Sequence, residues 1–196
     1  VYSRETIYQR VENFYHHFLS KEKRLWVTSF EGACVLHDKA NVACGQWTIS
    51  NHLKGRKVLS LGSAFHVEDP WLDQLVGPFL TKREVSLLIN GTEDRLDPYL
   101  LKKILREYCE DLLWQGEIVF LANSNLHLMK DLFQTQFPDQ KVLSYIDILL
   151  MDYFVERERK RDSIFYVTGS RREFYLPAED YLQPKKYLKV WRIKDF

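Results

Sequence analysis

The run Glu84–Asn125, EVSLLINGTEDRLDPYLLKKILREYCEDLLWQGEIVFLANSN, decides how the chain is read. Val85–Asn90 (VSLLIN) is a short apolar segment of strand length, and Gly91–Leu96 breaks it with Gly, Thr, Glu and Asp. Asp97-Pro98 then opens an amphipathic helix. An Asp side chain can accept free backbone N–H groups there, and Pro suits the first helical turn. Leu101, Leu105, Tyr108 and Leu112 make one apolar stripe with Ile104 beside it, while Lys102, Lys103, Arg106, Glu107, Glu110 and Asp111 face away. Gly116 stops the helix after Gln115. Ile118–Ala122 (IVFLA) is a second apolar strand, ending in Asn123-Ser124-Asn125. Strand–helix–strand with apolar strands is the unit of a parallel sheet, and its crossover is right-handed in nearly all cases.

Outward from this unit, Lys57–Leu61 (KVLSL) is a further apolar strand ending at Gly62-Ser63, and Asp69-Pro70 repeats the helix-start signal before a short helix from Trp71 that Gly77-Pro78 interrupts. Toward the N-terminus, Ile7, Val11, Phe14, Tyr15 and Phe18 recur at helical spacing over Ser3–Leu19, with Ser3 as N-cap. Leu25–Ser50 changes texture to LWVTSF, ACVL and VACGQWTIS, separated by Glu31-Gly32 and His37-Asp38-Lys39, and reads as two or three antiparallel strands. After Asn125 the pattern predicts a helix over LHLMKDLFQTQF, another over Val142–Lys160, a hairpin from Ser163–Thr168 and Glu173–Leu176, and a last strand at Tyr187–Ile193. The fold class that follows is a single α/β domain. A mixed sheet has a parallel βαβ core over 56–160, flanked by helices. A helix and antiparallel β-meander occupy 1–55, and a basic β-hairpin end occupies 161–196.

Composition supports a packed core: of 196 residues, 45% are hydrophobic and 28% charged, with net charge +1. The charge is uneven. Residues 156–196 carry 11 Lys/Arg against 7 Asp/Glu, and residues 1–155 carry 17 against 20. Cys34, Cys44 and Cys109 are odd in number and irregularly spaced, which reads as thiols in a reducing compartment, intracellular and cytoplasmic. No apolar run approaches the ~18 residues of a membrane span. Val1-Tyr2-Ser3-Arg4-Glu5 has no signal-peptide layout and no initiator Met, and reads as a processed end or a piece of a longer chain.

In an open α/β sheet, ligands bind outside the carboxyl ends of the strands. The turns predicted at that edge supply the candidate ligand-binding residues Ser63, Asn90, Thr92, Glu93, Asp94, Asn123, Asn125 and His127. Neither G-x-G-x-x-G nor G-x-x-x-x-G-K-[ST] occurs, which speaks against a standard dinucleotide or P-loop site. Cys34, His37, Cys44 and His52 are ligand types suited to zinc, but their spacing matches no common structural pattern and no metal site is assigned. The carboxylate pairs Glu68/Asp69 and Glu93/Asp94 are more simply a helix cap and helix-approach residues. No Ser or Cys sits in a nucleophile-elbow context. His37-Asp38-Lys39 followed by Gly62-Ser63 resembles the His/Lys layout of phospholipase D-type phosphodiesterases, whose His is the nucleophile. The chain departs from that layout, since Cys44 stands at its acidic position and the Gly-Ser lies too far along.

The basic end sets Arg157, Arg159, Lys160, Arg161, Arg171, Arg172, Lys185, Lys186, Lys189 and Arg192 beside Tyr166, Phe174, Tyr175, Tyr181, Tyr187 and Trp191. Arg171, Arg172, Lys185, Lys186 and Trp191 are the candidate partner-binding residues, for a protein or a nucleic acid, with no membrane partner. With no catalytic constellation, the expectation is a non-catalytic binding or assembly module of a nucleic-acid-handling complex. The alternative is a small transferase or hydrolase acting on a nucleotide-like or phosphorylated ligand at the carboxyl edge. The residues name no cofactor.

Overall fold

The computed structural model describes residues 3–22, 24–93, 97–110, 115–155, 164–167 and 189–192, with the backbone alone at 93, 109–110, 153–155, 164–167 and 189–192. The chain divides into two compact units, Val1–Glu156 and Arg157–Phe196. The architecture is α/β, with parallel strands between helices.

Four strands form the principal sheet of the first unit. They are β3 (Val58–Gly62), β4 (Leu80–Glu84), β5 (Ile118–Leu121) and β6 (Lys141–Ser144), in the order β4-β3-β5-β6 and parallel throughout. Val58 stands opposite both Leu80 and Ile118, and Ile118 opposite Lys141. Strands β3 and β5 are buried along their whole length. That burial is why VLSLG and IVFL read as continuous apolar runs and not as alternations.

The predicted strand at Val85–Asn90 is a helix. The strand is Leu80–Glu84 (LTKRE), whose ladder ends where the Val85 N–H meets the Gly62 carbonyl at 2.9 Å. Helix α6 (Ser86–Glu93) follows at once, with Leu88 and Ile89 buried beside Val85 while Leu87 is exposed. LTKRE escapes notice because it is the outer strand, mostly exposed and carrying the charges that discourage edge pairing. The long helix is as expected: α7 (Pro98–Glu110) begins with the Asp97 carboxylate accepting the Tyr99 N–H at 2.8 Å and buries Leu101 and Leu105. With α6 and α8 (Lys130–Gln136) it closes a core around Leu59, Leu61, Val119, Leu121 and Phe133.

The antiparallel meander over 25–50 is also corrected. Strand β1 (Leu25–Trp26) pairs parallel to β2 (Val42–Ala43), and between them runs helix α2 (Phe30–Leu36). The Ser29 hydroxyl caps α2 at the Gly32 N–H. Nearly every residue of α2 is buried, and an all-round apolar run shows no period by which helix and strand can be told apart. Gly45, at φ 72°, turns the chain from β2 into α3 (Gln46–Leu53).

Helix α1 (Arg4–Phe14) carries the expected Ser3 cap and continues as a turn of π-helix over Tyr15–Leu19. Helices α4 (Ala64–Glu68) and α5 (Trp71–Val76) join β3 to β4, and the Asp69 carboxylate caps the Trp71 N–H as the Asp-Pro signal implies. A 3-10 helix (Ser124–Met129) precedes α8. The helix expected from Val142 starts at Tyr145: Lys141–Ser144 is β6, and α9 (Tyr145–Val155) follows without a gap. No described helix is long and apolar enough to cross a membrane.

In the second unit, β7 (Ile164–Val167) pairs parallel to β8 (Lys189–Arg192), with Tyr166 opposite Trp191. The described pair is therefore not a hairpin, and Glu173–Leu176 lies outside the described residues, as do Arg171, Arg172, Lys185 and Lys186.

Candidate active site at the carboxyl edge

The carboxyl ends of β3 and β5 gather one polar cluster around a carboxylate from α2. Glu31 Oε1 accepts hydrogen bonds from Ser63 Oγ at 2.8 Å and from Asn123 Nδ2 at 3.3 Å, and Glu31 Oε2 accepts one from Ser29 Oγ at 3.0 Å. Ser63 is fixed as the cap of α4, where its hydroxyl faces the His66 N–H at 3.4 Å. Asn123 follows β5 and is buried, its Oδ1 accepting the Asn125 N–H at 2.9 Å.

The end of β6 adds two more groups. The Ser144 hydroxyl lies 2.7 Å from His127 Nδ1 and also accepts the Asp147 N–H. The next residue, the fully buried Tyr145, donates to the Val27 carbonyl at 2.8 Å and lies 3.3 Å from the Cys44 carbonyl. Consecutive residues thus hold the imidazole of His127 and the loop that carries Cys44. Burial raises the Cys44 thiol above its ordinary pKa; the Gln46 N–H at its sulfur and nearby Arg24 act the other way. Burial also puts the Tyr145 phenol well above its usual range, with Cys44, Cys34 and Glu31 among the groups that add to the shift.

Behind the edge, His66 is fully buried against Gly62, and its Nε2 lies 2.9 Å from Ser60 Oγ. A side chain at Gly62 would place its Cβ 2.4 Å from the imidazole, so glycine there is a packing requirement. Burial, with help from Lys82, lowers the His66 pKa to about 4. The unfolded chain would bind this proton near pH 6.5. The associated stability is therefore complete above pH 6.5 and lost as pH falls toward 4, a loss of roughly 3 kcal/mol. Urea unfolding at pH 7, 5.5 and 4.5 is expected to show this decline, and His66→Gln to flatten it. Asp147, whose carboxyl Lys130 and the Ser144 N–H pull below its usual value against the effect of burial, titrates below this window.

Of the predicted ligand residues, the structure brings Ser63, Asn123, Asn125 and His127 to the carboxyl edge. Asn90 and Thr92 fall within α6, where Asn90 is exposed and Thr92 Oγ1 donates to the Leu88 carbonyl; Glu93 ends that helix, and Asp94 lies outside the described residues. Glu31, Cys44 and Tyr145 were not among the predicted ligand residues. Glu31 sits in a segment that reads as a turn, Cys44 suggested only a metal ligand, and Tyr145 was hidden in an overlong helix. His37 and Lys39 do not form a phosphodiesterase pair: His37 Nδ1 is 2.8 Å from the Cys34 carbonyl and its ring stacks on Trp71, while Lys39 pairs with Glu12 and Asp38. Among the described residues no three His, Cys, Asp or Glu side chains are grouped to hold a metal ion. A separate cleft of about 460 Å³ between α6 and α7, lined by Leu88, Leu105, Tyr108 and Phe133, includes none of the edge cluster.

The chain is similar over nearly its whole length to solved glutamate racemases. It superposes on the enzyme from Thermus thermophilus, in complex with β-chloro-D-alanine, with a TM-score of 0.79 at 17% identity, covering 98% of this chain and 80% of that one. The fold is that of the glutamate racemases. The Bacillus anthracis isoform RacE1 gives 0.70 at 15% identity, covering 98% and 82%. The Francisella tularensis enzyme, in complex with D-glutamate, gives 0.72 at 11%, covering 99% and 82%. No protein-family model matches the chain, and no curated protein does. This likeness overturns the expectation of a non-catalytic binding or assembly module in a nucleic-acid-handling complex. Two of the racemases that share the fold carry an amino acid or an amino-acid analogue, D-glutamate in one and β-chloro-D-alanine in the other. Aromatic and basic composition at the C-terminal end misled the reading, because composition carries no geometry.

Proposed function

We propose that the chain is an amino-acid racemase or epimerase, acting by proton transfer at Cα without change elsewhere in the substrate. The observation that carries this is the edge cluster itself: a carboxylate, Glu31, held by a hydroxyl and an amide directly over the carboxyl ends of β3 and β5. An amino acid laid there sets its ammonium against Glu31 and its carboxylate against the Asn123 amide. Cys44 first loses its thiol proton to solvent, a loss that the Gln46 N–H and nearby Arg24 ease against burial. The thiolate then takes the Cα proton: the C–H bond breaks, its electron pair moves into the substrate carboxylate, and the sulfur gains the proton. The second N–H of the Asn123 amide, the one not given to Glu31, stabilises the negative charge that develops on the carboxylate oxygens. Inversion requires a proton returned from the other face, and the His127 imidazole is the group we assign to return it. Cys34 and Cys44 are both free thiols, in keeping with a reducing, cytoplasmic setting.

Incubation with single D- or L-amino acids in D2O, followed by proton NMR of the Cα signal, tests this. Deuterium is expected to enter Cα of at least one amino acid. Cys44→Ala is expected to slow that exchange by about 100-fold or more. No exchange with any amino acid, or exchange indifferent to Cys44→Ala, would sink the proposal.

A further inference from the structure

We infer that this site selects amino acids without a second carboxylate, and that Glu31 is the residue that imposes the selection; this rests on the amino-acid reading above. Glu31 has three partners, Ser29, Ser63 and Asn123, all neutral donors, and among the described residues no cation pairs with it. The described cations that approach this end of the sheet are engaged elsewhere. Lys82 is 2.5 Å from Asp73 and bonds the Asp69 carbonyl, Lys130 is 2.8 Å from Asp147, and Arg4 is 3.0 Å from Asp69. Arg24 lies over the Trp26 ring, 5.6 Å from its centroid.

Among the described residues the half-buried Glu31 charge is therefore held by neutral donors alone. A substrate ammonium supplies the missing positive charge, which favours a zwitterion of net charge zero. The side-chain carboxylate of glutamate or aspartate would instead meet a like charge, in a place where the Ser29 and Ser63 hydroxyls already donate to Glu31 and the remaining Asn123 N–H is taken by the substrate's α-carboxylate. Like-charge juxtaposition at a partly desolvated contact is strongly disfavoured. The chain thus shares a fold with racemases crystallised with glutamate but is built for neutral amino acids, with glutamine, the isostere of glutamate, as the informative probe.

The experiment is calorimetric binding of glutamine and glutamate, each as D and L forms, to the wild-type chain and to Glu31→Gln. Glutamine is expected to bind the wild type on the order of tenfold more tightly than glutamate, or better. In Glu31→Gln the ratio is expected to fall to about threefold or less, mostly through tighter glutamate binding. Glu31→Asp keeps the charge and should keep the preference, which separates loss of charge from loss of fold. Equal binding of glutamate and glutamine to the wild type overturns the inference. So does an unchanged ratio in Glu31→Gln, or absence of binding by either ligand. A preference for glutamine without deuterium exchange at Cα would leave the selectivity standing and refute the reaction.

Discussion

Alanine at Phe30 is expected to remove about 3–5 kcal/mol of folding stability, as truncation of a large buried aromatic generally does. Phe30 is wholly buried at the point where α2 meets the sheet. Its ring lies edge-on to His66 and Tyr145, each at 5.2 Å, and to Phe120 at 6.0 Å, and tilts against Trp71 at 5.5 Å. These four neighbours come from α4, α9, β5 and α5, so the cavity left by truncation cannot be filled by movement of one element alone. A domain of this size has on the order of 5–15 kcal/mol in total. The variant should therefore lower Tm by roughly 10 °C or more in a calorimetric scan. It should also loosen Glu31, the next residue, so amino-acid binding is expected to weaken further than the fraction unfolded explains. A Tm within about 2 °C of wild type would show that Phe30 is not the keystone described.

The second large effect is expected at Asp69. This carboxylate is 1% exposed and serves two elements at once: it caps the Trp71 N–H of α5, and accepts from Arg4 at 3.0 Å and Tyr8 at 2.6 Å on α1. Asp69→Ala leaves a buried N–H without its acceptor and a partly buried hydroxyl without its partner, which together cost about 2–3 kcal/mol. Part of the Arg4 contribution is discounted because that side chain is 37% exposed. Beyond the loss in denaturation midpoint, amide hydrogen exchange in α1 should accelerate more than exchange in β3 or β5, because α1 alone loses two anchors. Uniform acceleration throughout the sheet would contradict the view that Asp69 ties α1 down.

What could be read from the residues followed burial. Strands β3 and β5 announce themselves because both faces are covered, and α7 because one face is wet and Asp97 caps it. Strand β4 could not be found by apolarity, since LTKRE is an exposed outer strand. Helix α2 could not be distinguished from a strand, since burial on all sides erases its period. The site divides the same way. Ser63, Asn123, Asn125 and His127 follow directly from the strand-end rule, being local to β3 and β5. Glu31 arrives from a helix 32 residues before Ser63 and 92 before Asn123 in sequence. Only the packing of α2 onto the sheet, through Phe30, makes it part of the site.

The strand order carries a consequence for biosynthesis. Strand β3, fully buried, leaves the ribosome well ahead of one of its neighbours: β4 follows after the short helices α4 and α5, but β5 is completed about 60 residues later. At translation rates of ~5–20 residues per second, Leu59 and Leu61 remain without their β5 partners for roughly 3–12 s. A nascent chain carrying such an apolar ribbon is a natural client for a ribosome-associated holdase, and its yield should depend on the pace of translation between Gly62 and Leu121.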